Sequence, residues 1–177
     1  MNIEENVEDI AEAAKLGREV RSHGPYRVLF GDGQLHFKTG ILHDPVPTGR
    51  QLLEEAGARP VEEHLTFQLL RNGMLEEIRP DETTDLRQSG VERFLVFRND
   101  RSFRFELDGR VFEWGGELIS GLTLKKLAQV DLTNYGVWLE VRGAEDEPIP
   151  DGKLVNLAAP GVERFFTGIV QTTEGNR

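Results

Sequence analysis

At 177 residues and 38% hydrophobic content, the chain is long enough to bury two small cores of about 70 residues each. It has no cysteine, which excludes disulfides, a thiol nucleophile and thiolate-held metal, and its net charge of −10 argues against a nucleic-acid partner. No apolar run approaches the roughly 18 residues of a membrane span, and Met1-Asn2-Ile3-Glu4-Glu5 lacks the basic-then-apolar order of a signal peptide, so the expectation is a cytoplasmic protein without a membrane partner.

Residues 1–24 form an acidic extension. Ile3, Val7, Ile10, Ala11, Ala14 and Leu16 give partial 3–4 spacing, which predicts a separate helix within Asn2–Ser22. Two readings stay open: a frayed solvated helix, or a helix that docks on a neighbour. From residue 25 the pattern changes. Tyr26–Phe30 and Gln34–Lys38 flank Gly31-Asp32-Gly33, a hairpin with a three-residue loop and therefore a bulge. After the proline-containing loop His43–Pro47, Thr48 is a helix cap, and Leu52, Leu53 and Ala56 form the apolar stripe behind it. A strand follows at Leu65–Leu70, then a polar crossing with Pro80, then a last strand at Val91–Phe97.

The same order begins again about five residues later. Phe103–Leu107 and Arg110–Trp114 flank Asp108-Gly109, a pair suited to a type I′ turn. Such a turn sets Leu107 opposite Arg110, Phe105 opposite Phe112 and Phe103 opposite Trp114. The large aromatics then share one face, while Arg104 meets Glu113 on the other. Ser120 caps a second helix with Leu124, Leu127 and Ala128 on its stripe, followed by strands at Val137–Val141 and Val162–Val170 around a crossing with Pro150.

The two halves are copies. Gly90-Val91-Glu92-Arg93-Phe94 recurs as Gly161-Val162-Glu163-Arg164-Phe165, 71 residues on (161 − 90), and Leu86 and Leu157 each stand four residues ahead. The fold class expected is α+β: two tandem β-grasp domains, each a mixed sheet wrapping one helix, at residues 25–99 and 100–170. The short join predicts a limited range of relative orientations.

No chemistry-bearing constellation stands out. His23, His36, His43 and His64 lack metal-ligand spacing, and the adjacent pairs Glu54-Glu55, Glu62-Glu63 and Glu76-Glu77 read as solvated surface. Gly31-Asp32-Gly33 lacks the length and lysine of a phosphate loop, and no serine sits in a GxSxG elbow. The repeated Glu-Arg reads as strand surface. No catalytic residue, cofactor or metal site is expected, and the chain is read as a non-enzyme. Residues 171–177, Gln171 to Arg177, contain no apolar residue and are expected to extend from the last strand as a flexible arm. Within it Gly175 alone has no β-carbon, and a glycine carboxylate can thread a narrow channel that a β-carbon would block. A plain disordered end is the other reading.

The duplicated unit resembles the bacterial multiubiquitin proteins. The resemblance spans about residues 26–169 and rests on the Asp-Gly hairpins, the Thr48-Gly49 and Ser120-Gly121 helix starts, and Leu-x-x-x-Gly-Val-Glu-Arg-Phe at Leu86–Phe94 and Leu157–Phe165. It implies a ubiquitin-like modifier of a bacterial ubiquitination-like pathway linked to antiphage defence. The implied partners are an activating enzyme, a conjugating enzyme, a JAB-type metalloprotease and target proteins. By that resemblance Gly175 is the conjugated residue, adenylated by the activating enzyme and passed to a conjugating cysteine before joining a target. The chain ends Gly175-Asn176-Arg177 and not in a di-glycine, so the peptidase must first remove Asn176 and Arg177. Gly168 is the poorer candidate, being close to the last strand. The alternative is a non-conjugated adaptor or filament-forming protein that works through its β-grasp surfaces.

Overall fold

The computed structural model of the chain describes residues 6–88 and 90–170. Its second half shows most plainly how sequence becomes fold. Asp108 and Gly109 both take positive φ, 50° and 78°, and turn β7 (Phe103–Leu107) back into β8 (Arg110–Trp114). The register is the one the turn predicts, with Phe105 opposite Phe112, Phe103 opposite Trp114 and Arg104 opposite Glu113. Phe105 and Phe112 stack at 5.1 Å on the inner face. After the short strand β9 (Leu118–Ser120), the Ser120 hydroxyl accepts a hydrogen bond from the Thr123 amide at 3.1 Å and starts α3 (Gly121–Ala128). Leu124 and Leu127 on α3 are buried against the sheet. Strands β10 (Tyr135–Leu139), β11 (Glu147–Pro148), β12 (Leu154–Asn156) and β13 (Glu163–Ile169) complete the unit. The main sheet runs β11-β10-β13-β7-β8, with β13 parallel to β7 at its centre.

The first half repeats this plan. Its strands are β2 (Tyr26–Gly31), β3 (Phe37–Leu42), β4 (His64–Leu69), β5 (Leu75–Glu77) and β6 (Arg93–Arg98), in the order β5-β4-β6-β2-β3 with β6 parallel to β2. Its helix α2 (Gly49–Glu55) carries a full capping box: Thr48 accepts from the Gln51 amide, and the Gln51 side chain accepts from the Thr48 amide. The two halves are therefore one ubiquitin-like α+β unit built twice.

The repeated Thr/Ser-Gly helix start has a second cause beyond capping. The crossing segment of each unit passes over the helix N-terminus and supplies carbonyls to it. The Arg50 amide donates to Pro80 O at 3.1 Å, and the Leu122 amide donates to Asp151 O at 3.1 Å. A β-carbon at Gly49 would collide with the Arg79 carbonyl, and one at Gly121 with the Pro150 carbonyl. Glycine is what lets the crossing come this close.

Two expectations need correction. The first hairpin does not turn through Gly31-Asp32-Gly33. The Asp32 side chain accepts from the Gln34 and His36 amides, at 2.9 and 3.1 Å, while Leu35 takes φ 57°. This local loop consumes Gln34–His36, so the second strand begins at Phe37 and continues through Leu42. The acidic extension is also not one separate helix over Asn2–Ser22; of the two readings left open, the docked one holds, in a shorter helix. Strand β1 (Glu8–Asp9) pairs in parallel with Tyr26–Arg27, and α1 (Ile10–Leu16) buries Ile10 and Ala13 on the first unit. Asp9 caps α1 and Gly17 ends it in the left-handed conformation. The apolar spacing marked a short docked segment, and its acidic residues obscured one carboxylate that is buried.

That carboxylate is Glu8. It accepts from Arg18 Nη2 at 2.6 Å, Arg18 Nη1 at 3.1 Å, and the backbone and side chain of Arg21 at 3.0 Å each. Hydrogen bonding to the Arg18 guanidinium, opposed by desolvation, lowers its pKa to about 2. The loop after α1 is thereby tied to the strand before it.

The two units share a core. In β6, Phe94 turns towards the first unit's own helix side, while Leu95 and Phe97 turn the other way, with Phe67 and Leu69, into a cluster continuous with Trp114, Leu124 and Leu127 of the second unit. Phe97 meets Trp114 edge-on at 4.9 Å and Phe67 at 5.8 Å. Polar contacts close the rim: Thr123 Oγ1 donates to Gly33 O at 3.1 Å, Arg110 Nη1 to Asn72 O at 3.0 Å, and Gln129 Nε2 to Arg71 O. At Gly73, φ is 84° and a β-carbon would collide with the Leu127 carbonyl. The join is thus a packed interface and not a tether.

Candidate functional site

No described helix is long and apolar enough to cross a membrane. Among the described residues no group of three or more His, Asp or Glu side chains is placed to hold a metal ion. The sequence-marked histidines scatter. His36 Nδ1 lies 3.9 Å from an Asp32 oxygen, His64 Nδ1 lies 2.7 Å from Pro60 O, and His43 is exposed. Lys125 is the one buried lysine among the described residues, but it is fully engaged: Nζ donates to Leu132 O at 2.8 Å and to Tyr135 O at 3.3 Å, and pairs with Asp151 at 2.6 Å. These groups hold structure.

The repeated pentapeptide is structural in both units, with an asymmetry. Phe94 and Phe165 are both buried, and each sits on the central strand of its sheet. Val91 is buried in the first unit, in the cluster that also holds Ile10 of the docked extension, whereas Val162 is 53% exposed in the second.

The outer sheet face of the second unit is open. Trp138 and Phe166 are directly paired across β10 and β13 and stack at 5.7 Å with their rings 13° from parallel. Gly136 and Gly168 form the next pair on that face, and a β-carbon on either would press on the Trp138 ring. Beyond the aromatics, Arg164 pairs with Glu106 at 3.4 Å and Arg104 with Glu113 at 3.3 Å. In the first unit the same face carries Phe67, Leu95 and Phe97 and lies under the second unit. The signal for this difference was present in the sequence. Phe94-Leu95-Val96-Phe97 is apolar at every position, as a strand covered on both faces must be, while Phe165-Phe166-Thr167-Gly168 is not.

The carboxyl end departs from this open unit. Ile169 is 67% exposed and Val170 45%, and the Val170 amide makes the last ladder-like bond, to Asn134 O at 2.8 Å. Gly168 is inside the sheet, paired with Gly136. The expected conjugation residue Gly175 and the expected leaving residues Asn176 and Arg177 lie outside the described residues, as does all of 171–177.

Two β-grasp units of identical strand order define the class, a protein of tandem ubiquitin-like repeats. The comparison with known families agrees with that reading and narrows it. The multiubiquitin family model matches residues 34–99 and again 103–168, and the chain belongs to the multiubiquitin family. No curated protein matches it.

Proposed function

We propose that the chain is a ubiquitin-like protein modifier, non-catalytic itself, that is joined to targets through Gly175. A peptidase of the JAB-type metalloprotease class hydrolyses the Gly175–Asn176 bond and releases Asn176-Arg177. An activating enzyme then adenylates the new carboxylate, and a conjugating enzyme transfers it to a target protein within a bacterial ubiquitination-like pathway serving antiphage defence in the cytoplasm. Membership of the multiubiquitin family carries this reading. The exit of the chain at the exposed Val170 supports it. Four residues lie between Val170 and Gly175, and five fully extended residue steps reach up to about 17 Å, enough to enter a partner's channel while the sheet stays outside.

The test is intact-mass spectrometry after co-expression with the peptidase and activating enzyme. The expected product has lost Asn176 and Arg177, and Gly175→Ala abolishes conjugates. A chain that still ends in Arg177, with conjugates absent from wild type, would overturn the proposal.

A further inference from the structure

The crossing segments of the two units share a backbone but carry opposite charge. In the first, the Glu82 amide donates to Arg79 O at 3.0 Å, and Glu82 O accepts from the Gly49 amide at 2.9 Å. In the second, the Lys153 amide donates to Pro150 O at 3.0 Å, and Lys153 O accepts from the Gly121 amide at 3.1 Å. Glu82 and Lys153 therefore hold the same place. Their neighbours across the sheet correspond as well. Glu76 stands opposite Gln68 and Glu147 opposite Leu139, while Gln68 and Leu139 stand opposite Phe94 and Phe165 of the repeated pentapeptide. In the second unit Lys153 Nζ pairs with Glu147. In the first, both members of that pair are carboxylates.

Glu76 and Glu82 line a groove of about 860 Å³ together with Glu77, Asp81 and Asp85, and no lysine, arginine or histidine is among its described lining residues. Of these five carboxylates only Asp85 has an ion-pair partner among the described residues, Arg87 at 2.9 Å. Gln68 lines the same groove and is 8% exposed. Its Oε1 accepts from Thr84 Oγ1 at 3.1 Å, whereas its Nε2 donates to nothing among the described residues. A buried amide N–H without an acceptor is costly, so the groove favours a ligand that brings a carbonyl oxygen along with its positive charge.

We infer that this groove binds a basic segment of a partner protein, whose lysine or arginine side chain enters between Glu76 and Glu82. That cation takes the place that Lys153 fills beside Glu147 in the second unit. A backbone carbonyl of the segment accepts from Gln68 Nε2, and Glu77 and Asp81 draw the cations that flank the first. The second unit closes this charge pair within the molecule, whereas the first leaves it for another chain to close. The inference does not depend on conjugation at Gly175.

The test is a titration of the ¹⁵N-labelled full chain with the synthetic peptide Ac-Lys-Val-Lys-Val-Lys-NH2, and with a control in which glutamates replace the lysines. Saturable shifts are expected at residues 76–78 and 81–85 and at the Gln68 side-chain amide, with the basic peptide only, weakening as salt is raised. Glu82→Lys gives the first unit the pair that the second already carries, so it should keep the fold and weaken binding about tenfold or more. Glu54→Lys makes the same change of charge at an exposed position of α2 outside the groove, and should weaken binding no more than about twofold. Should Glu82→Lys disturb the fold, Glu76→Gln reads the same contact, with an expected loss of about fivefold. Equal binding of the two peptides, no saturation, unchanged affinity in the groove variant, or an equal loss in Glu54→Lys would each overturn the inference.

Discussion

The two units have the same strand order but opposite exposures. Among the described residues, the first has its outer sheet face covered by the second and its β3 edge unpaired, whereas the second has its outer face uncovered and its β8 edge against the first. One duplicated fold thus presents two different surfaces to solvent, because a single interface removes a face from one copy and an edge from the other. Duplication here does not yield two equivalent binding modules. It yields one body with an open aromatic sheet face beside the carboxyl exit and an unpaired strand edge in the first unit.

The largest effect is expected at the residue the two units share most closely. Phe97→Ala removes a ring packed on both Phe67 and Trp114 and should cost about 3–5 kcal/mol. Chemical denaturation followed by tryptophan fluorescence and by circular dichroism should show one coincident transition at lower denaturant. If the first unit's signal shifted while the Trp114 signal did not, the shared core would be a contact without energetic consequence.

Next come Gly49→Ala and Gly121→Ala, which put the same β-carbon against the same kind of carbonyl in each copy. Each should cost about 1–3 kcal/mol through forced movement of the crossing segment. Similar losses would sharpen the equivalence of the copies, and a loss at only one would break it.

A smaller effect, specific to the first unit, belongs to Glu8→Gln. It replaces a buried carboxylate held by Arg18 and Arg21 and should cost about 2 kcal/mol at neutral pH. The Glu8 pKa is depressed on folding, from 4.5 to about 2. Its contribution is therefore complete above about pH 4.5 and is lost as pH falls towards 2. Over that window wild type and Glu8→Gln should converge in stability. A constant difference would remove the carboxylate from the account.

The smallest effect is expected on the open face. Trp138→Ser removes half of a partly exposed stack and should change stability by no more than about 1 kcal/mol by thermal denaturation. A cost comparable to that of Phe97→Ala would mean that the second unit's outer face is structural after all.

Much of the fold could be read from local signals. Asp108-Gly109 dictated both its turn and the register of five residue pairs, because few residue pairs accept two positive φ angles in succession. Thr48 and Ser120 marked both helix starts through their hydroxyls. What failed depended on partners distant in sequence. The first hairpin is governed by the Asp32 side chain, which competes with the ladder for backbone amides. The sequence leaves open whether the extension is solvated or docked, because its docking needs a buried Glu8, and only Arg18 and Arg21 together make that burial tolerable. The glycines after each cap were legible as a repeat but not as a close approach, since the colliding carbonyls lie about 30 residues further on. Of the candidate site, Gly175 was named from tail composition and resemblance, and the sheet-face asymmetry went unread although the unbroken apolar run of β6 announced it.

Backbone ¹⁵N relaxation on the full chain tests most directly the idea that the two copies form one body. A single rotational diffusion tensor should describe residues 26–88 and 103–169, with the correlation time of a 20.0 kDa particle. Two separate and shorter correlation times would show the units tumbling independently, and would contradict both the covered face and the β8 edge set against the first unit.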